Sequence, residues 1–428
     1  MPGSFVLLPH GCEGSQVHLR FSTAGESHGK ALVALVEGLP AGLPVSAEWV
    51  DRDLLRRMQG YGRGARMKIE QDRVEWLSGV RAGETLGSPV AMLIPNRDWA
   101  NWEDVMAHEA AEPGELRRRR VTRPRPGHAD LVGVLKYDRV DARDILERAS
   151  ARETTARVAA GALARRLLDE FEVEVGSHVA SLGGVVAQRP AELPVPLNQA
   201  ADQSEVRVLD RSVEPEIIRR IDAAKKAGDT LGGEVEVVAR GVVVGLGSHV
   251  AWDRKLDGRL AGALMSIPAV KAVEIGLGVE AARRPGSAVH DPIDPSETLP
   301  ASVPPHPGDT RAGFRRRTNN AGGLEGGITT GEPLVIRVAM KPISTLMSPL
   351  PTVDLATGQS ASAQSERSDV TAVPALGVIA EAVTAIVLAD AMLEKFGGDS
   401  LVEMRRNYDG YLSALGARWA VLRETAPD

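Results

Sequence analysis

The stretch Ala375 to Leu393 is the strongest constraint on the fold. It is nineteen residues, mostly Ala, Val, Leu and Ile, and its only charged residues are Glu381 and Asp390. Two acids inside a span would each cost about 2.5–3.5 kcal/mol near the centre of a bilayer. A helix buried in a water-soluble protein is therefore the expectation, running from Ala375 to Phe396 and stopped by Gly397-Gly398. Such a helix needs cover on every side, so the chain must supply layers around it. A second alanine-rich helix is predicted over Ala142–Phe171, with Ala149, Ala151, Ala156, Ala159, Ala160, Ala162 and Ala164. Alanine favours helix and lets neighbours approach closely.

The remaining pattern is mixed. Strands are predicted near Val17–Phe21, Ala31–Glu37, Arg73–Ser78, Val90–Ile94, Val173–Val186, Glu234–Val250 and Leu334–Met340. Helices are predicted at Glu48–Met58, Glu214–Ala227, Leu256–Ser266 and much of 401–424. Residues 112–130 and 281–323, rich in Pro, Gly and Arg, read as loops. The word Gly-Ser-His-Val occurs at Gly176–Val179 and again at Gly247–Val250, which fits two similar strand–turn units. Arg–Ser pairs near the two long helices suggest an internal duplication of an αβ unit. Without a clear linker, the fold class is α+β: residues 18–428 form a single large domain, and 1–17 form an N-terminal extension, expected to be disordered.

Among 428 residues, aromatics make up only 4%, so the core must be aliphatic. A net charge of −6 argues against a general nucleic-acid binder but allows a local basic pocket. One cysteine, Cys12, excludes an internal disulfide framework and points to a reducing, cytoplasmic setting. Phe5–Leu8 is too short for a signal core. No phosphate-binding loop, dinucleotide fingerprint, metal-ligand spacing or hydrolase elbow is present.

What remains is histidine in glycine-flanked loops, surrounded by arginine. His28 sits in Gly25-Glu-Ser-His-Gly29 and His128 in Arg123-Pro-Arg-Pro-Gly-His-Ala-Asp130. A turn held by a hydrogen bond and a proton-handling group are about equally weighted for each. Six arginines fall between 117 and 125. Arg117–Arg120 read as a solvated face. Arg123 and Arg125, stiffened by prolines, are aimed. Arg57, Arg63 and Arg66 form a second group. Arginine grips carboxylate and phosphate in a planar fork, so a small polyanion is the implied ligand class. Arg148–Thr155 and Lys341-Pro-Ile-Ser-Thr345 combine cations with hydroxyls, as a phosphate needs. Arg367-Ser-Asp369 precedes the buried helix as either a cap or a catalytic acid.

These words, in this order, resemble the chorismate synthase family from about Leu19 to Leu401. They are Gly25–Gly29 with Val36–Pro40, Glu147–Thr155 with Ala160-Gly161, and Arg367–Thr371 with Glu381-Ala382. Gly60–Arg66, Asn319–Gly327 and Lys341–Thr345 also match. The resemblance implies a lyase that converts 5-enolpyruvylshikimate 3-phosphate to chorismate and phosphate by anti 1,4-elimination, using reduced FMN. It implies a homotetramer and a β-α-β sandwich with helices buried between antiparallel sheets. It implies FMN contacts at Arg148, Ala149, Ser150, Pro268, Ala269, Gly326, Lys341, Pro342, Ile343, Ser344, Thr345 and Arg367. Arg57, Arg63 and Arg125 would face the substrate, or, for the first two, NADPH. His28 would set the protonation of the flavin near nitrogen 1, His128 would protonate the departing phosphate, and Asp369 would help flavin nitrogen 5 take the ring proton. Cys12 and His18 carry no implied role. The alternative from another class is a protein that binds small polyanions or RNA through loop 117–125.

Overall fold

A computed structural model describes residues 18–63, 72–109, 119–295, 314–365 and 368–424, with backbone alone for 295 and 416–424. Labels below follow chain order.

Strands β1 (Arg20–Gly25), β2 (Ala31–Glu37), β3 (Glu75–Ser78) and β4 (Val90–Pro95) form one antiparallel sheet ordered β1-β2-β4-β3. In β2 and β4 alternate side chains are buried, so one face of this sheet looks into the core. Helix α1 (Ala47–Met58) starts at Ser46, whose hydroxyl accepts from the Trp49 amide.

The predicted helix over 142–171 is two helices, α3 (Arg143–Ala149) and α4 (Glu153–Asp169), preceded by α2 (Asp130–Tyr137). Ser150 is extended (φ −66°, ψ 144°), which ends α3. The break falls on the hydroxyl-rich segment, where side chains bond across to other strands. A continuous helix could not present those groups, and alanine content alone does not reveal the interruption. Helix α2 was also missed, lying at the edge of a segment read as loop.

The second sheet is built from β5 (Glu174–Leu182), β6 (Gly233–Arg240), β7 (Val270–Ile275) and β8 (Leu334–Met340). It is ordered β7-β8-β6-β5 with the short strand Val185–Val186 at its edge, and all its pairs are antiparallel. Helices α5 (Glu214–Ala227) and α6 (Leu256–Met265) stand close to their predicted positions. Strand β6 ends at Arg240, so Gly247–Val250 lies in a loop while Gly176–Val179 lies in β5. The repeated word therefore does not mark two like units; five residues after β6 the chain has turned through Gly241 and Gly245, both at positive φ.

Helix α7 (Val373–Phe396) is buried along nearly its whole length, and α8 (Leu401–Glu424) follows it. By length and composition α7 could cross a membrane, but 94% of its most apolar window is buried inside the protein. Helix α4 packs on β1, β2 and α7, while α7 packs on β5, β6 and β8. The crossing of α4 with α7 is close: a Cβ on Gly161 would stand 2.5 Å from the Ala382 Cβ. Here the low aromatic content finds its reason, because two helices that share one core need small side chains at the seam.

Charge is also buried at this crossing. Glu381, fully buried, accepts from Arg56 (2.8 and 3.1 Å), Arg165 (2.7 Å), Arg207 (3.1 Å), Ser177 (2.6 Å) and Asn198 (3.2 Å). Asp53 pairs with Arg56 and Arg165, and Asp202 with Arg56 and Arg207. Three arginines thus meet three carboxylates. Burial would raise the Glu381 pKa, but the arginines override it and hold the carboxyl well below its usual range.

Candidate functional site

The loop between β1 and β2 carries Gly25–Gly29. Gly25 has φ +101°, and a Cβ there would stand 2.4 Å from the Ala31 carbonyl oxygen, so the turn requires glycine. The loop is seated on α3. The Ser27 amide donates to the Glu147 carbonyl (3.0 Å), and the His28 amide donates to Glu147 Oε2 (2.9 Å). His28 Nδ1 lies 2.9 and 3.0 Å from the two Glu147 oxygens. Arg143 donates to Glu147 Oε1 at 2.7 Å. Burial would raise the Glu147 pKa; His28 and Arg143 outweigh it and bring it down. Trp102 stacks on the His28 ring at 3.7 Å with 26° between planes. Arg119 and Arg143 lie over Trp102 in turn. Glu26, beside them, is pushed up by burial and by Glu147 and Asp144.

The segment 148–154 continues this wall. Arg148, on the surface, donates to Thr23 O and Oγ1 (2.8 and 2.7 Å) and to Gly25 O (3.3 Å). Ser150 Oγ is 3.2 Å from Ser27 Oγ. Arg57 donates to Thr154 Oγ1 (3.1 Å) and Ala151 O (2.9 Å), while Arg152 donates to Asp72 (3.0 Å).

The second histidine is built on the turn before α2. Gly127 (φ +77°) precedes His128, whose Nδ1 stands 2.5 Å from Asp130 Oδ1. Asp130, fully buried, also takes Arg125 Nε (2.8 Å), and its carboxyl lies far below the usual range: burial opposes ionisation but His128 and Arg125 prevail. Arg125 is itself buried and donates to Thr345 Oγ1 (2.8 Å). Lys341 Nζ donates to the Gly127 carbonyl (3.0 Å), and its amide to Ala269 O (3.0 Å). Burial, with Lys271 nearby, lowers the Lys341 pKa. Thr230 Oγ1 donates to Ile343 O (2.7 Å).

Arg63 Nε and Asp369 Oδ2 are 3.3 Å apart, and the Val370 amide donates to Gly62 O. The Leu231 amide donates to Val370 O. The predicted residues therefore join into one circuit, partly by contacts and partly along the chain. It runs from His28 to Glu147, along the chain to Ser150 and Ala151, across to Arg57, along the chain to Gly62 and Arg63, across to Asp369 and Val370, then to Leu231 and Thr230, and by Ile343 to Lys341, Gly127 and His128. Helix α2 closes it against α3, because Gly133 packs on Ile145. Pro268-Ala269, Pro342 and Ser344 flank this circuit in sequence; Ala269 has φ +71°, and Ser344 Cβ would be 3.7 Å from a Cβ on Gly127. Gly326 stands apart, in the turn between the short strands Leu324–Glu325 and Ile328–Thr329. Arg66, Arg117, Arg118 and Arg367 lie outside the described residues. A hollow of about 580 Å³ lined by Glu274, Glu280, Arg283 and Arg337 contains none of the candidates.

Arg119 and Arg120, read as a solvated face, are exposed, with Arg119 over Trp102 and Arg120 on the Val140 carbonyl. Arg125 donates to Asp130 and Thr345. Residues that bear on the histidines yet were given no role are Glu147, Asp130, Arg143 and Trp102. Asp130 carried a signal, standing two residues after His128. Trp102 did as well, as one of six tryptophans in an aromatic-poor chain. Glu147 is 119 residues from His28, and no local pattern links them.

Two histidine–carboxylate units, several arginines and a lysine are the kinds of side chain that acid–base chemistry on an anionic ligand would use. Comparison with known proteins gives the family. The family described as Chorismate synthase matches residues 19–393. A chorismate synthase of Geobacter sulfurreducens is 56% identical over 399 residues, 93% of this chain and 100% of the relative. One of Symbiobacterium thermophilum is 56% identical over 404 residues, covering 94% and 100%. A solved structure, "Crystal Structure of Chorismate Synthase", matches with TM-score 0.73 and 43% identity over 94% of this chain and 99% of that one. The chain belongs to the chorismate synthase family.

Proposed function

We infer that the chain is a lyase of the shikimate pathway that converts 5-enolpyruvylshikimate 3-phosphate to chorismate and phosphate. Membership of the family over nearly the whole chain carries this reading. A substrate with two carboxylates and a phosphate matches the cationic circuit. The family match lends the competing polyanion- or RNA-binding reading no support.

In the elimination, a C–O bond to phosphate and a ring C–H bond break, and a double bond forms. In this reading His128, fixed beside Asp130, acts as the acid that meets the departing phosphate. In the same reading Asp369, paired with Arg63, helps move the ring proton, and His28 holds a proton for the cofactor.

Reduced FMN is the cofactor we propose. The donor set fits it: Arg148 on the surface, Ser150 at the helix break, and Lys341, Ser344 and Thr345 beside Gly127 offer cations and hydroxyls to a phosphate. Ala149, Pro268, Ala269, Pro342, Ile343 and, outside the described residues, Arg367 would complete its seat. When bound it would supply electrons transiently, with no net redox change. For Gly326 only the resemblance speaks. NADPH at Arg57 and Arg63 rests on the same ground, and both guanidiniums are engaged within the chain. We also propose a β-α-β sandwich, supported by α4 and α7 packing on different sheets and on each other, with residues 18–428 as one domain and 1–17 as an extension. An αβ duplication, a homotetramer and a cytoplasmic setting complete the reading, the last supported by the single cysteine.

The test is an anaerobic assay with the phosphorylated substrate and photoreduced FMN. Chorismate and phosphate should appear together, and their absence with folded protein defeats the reading. His28→Ala and His128→Ala should each lower turnover by about 100-fold or more; near-normal rates in both would remove the assigned roles.

A further inference from the structure

Three histidines in the described chain face a buried carboxylate, and they do so in two ways. His178 and Glu236 stand opposite each other on β5 and β6, and the ring meets the acid through Nε2 at 3.3 Å. Its other nitrogen lies near its neighbour's backbone oxygen, and the ring is 3% exposed. That is a core pair with both nitrogens turned inward. His28 and His128 differ: both turn Nδ1 to the acid, and both are only partly buried.

The acids themselves are alike. Glu147 and Asp130 are buried to 2% and 0% exposure, and each is shared with an arginine that is itself buried and anchored. Arg143 is anchored on the Arg119 carbonyl (2.9 Å) and Arg125 on Thr345. Arginine keeps its charge at all accessible pH, so each acid stays ionised. An ionised carboxylate can only accept hydrogen bonds. Nδ1 of His28 must therefore carry hydrogen. For His128 two contacts compete, because Arg125 NH2 also lies 3.1 Å from Nδ1 and can only donate. The 2.5 Å approach to Asp130 decides it: two acceptors would repel at that distance, whereas Arg125 NH2 has Asp130 Oδ1 at 3.1 Å as an alternative partner.

We propose that Glu147 and Asp130 are positioning residues, each fixing a proton on Nδ1 so that Nε2 is the nitrogen through which His28 and His128 exchange protons with their ligands. This rests on the functional reading above for what those ligands are, but not for the state of the rings. Which nitrogen bears hydrogen is set by the bond the other makes. The arginine in each unit does a second job, holding the acid in place when the ring is neutral.

The experiment is nitrogen NMR of the full-length protein labelled with ¹⁵N-histidine, at a pH where the rings are neutral. His28 and His128, assigned by their alanine variants, should show a protonated Nδ1 and a bare Nε2, the reverse of the form that predominates for free histidine in water. Glu147→Gln should move only the His28 signals towards a mixture, and Asp130→Asn only those of His128. Turnover in each should fall about 10-fold or more with KM changed by less than about 3-fold, and Glu147→Asp should recover part of the loss. A wild-type spectrum with Nε2–H on both rings overturns the proposal without any variant, as do ring signals that ignore both substitutions. A protein that makes no chorismate but shows Nδ1–H on both rings would defeat the functional reading and leave this one standing.

Discussion

At the scale of the residue, the candidate site is a set of side chains whose partners come from far along the chain. His28 is fixed on one edge by Glu147 and on one face by Trp102. An aromatic pair of this geometry contributes about 0.5–1.5 kcal/mol beyond its buried area. Trp102→Ala should lower the unfolding free energy by at least that much in a urea titration, while Trp102→Phe should recover most of it. Equal losses in the two would mean that the stack with His28 contributes nothing. His28 and His128 were legible as candidates because glycines flank them and arginines surround them. Their carboxylates were not, since Glu147 reads as an ordinary helical acid until the loop is folded onto it. Arg125 shows what local sequence hides: its proline-stiffened setting was legible, but its bonds to Asp130 and to Thr345, 220 residues away, were not.

At the scale of the element, the long apolar helix was the most readable part of the chain, because few structures can accommodate it. Its neighbour was misread at one point, the break at Ser150 that brings its hydroxyl to Ser27. Propensity favours continuing the helix there, and only the contacts to Ser27 and Arg57 show why it stops. The crossing of α4 and α7 gives a sharper expectation. Gly161→Ala would drive a methyl group to within 2.5 Å of the Ala382 Cβ and 2.7 Å of its carbonyl oxygen. Overpacking of this kind costs about 1–3 kcal/mol, visible as a lower urea midpoint. Helix propensity alone would stabilise the variant by about 1 kcal/mol, so a gain in stability would show that the seam can spread.

At the scale of the whole molecule, Glu381 connects the parts. Breaking a buried ion pair by removing one partner costs about 3–5 kcal/mol, so Glu381→Ala, which leaves three buried arginines with only Asp53 and Asp202, should destabilise the fold by about that much. Unaltered thermal melting would show that the cluster relaxes around the loss. The acid response follows from the same groups. Glu381, Glu147 and Asp130 all have folded pKa values depressed below 4.5 for Glu and 3.8 for Asp. A depressed carboxyl contributes stability that is complete above its unfolded value and is lost as pH falls through the folded one. Stability should thus be flat from neutral pH to about pH 5 and decline progressively below it. A protein as stable at pH 3 as at pH 7 would contradict this.

The burial of α7 has one more consequence, in time rather than in space. Amides of a segment with no exposed face can trade hydrogen for deuterium only when the whole structure opens. The interrupted stretch around Ser150, with Arg148 on the surface beside it, needs only a local opening. Deuterium uptake should therefore separate the chain into a slow centre at α7 and a fast rim that includes the stretch around Ser150.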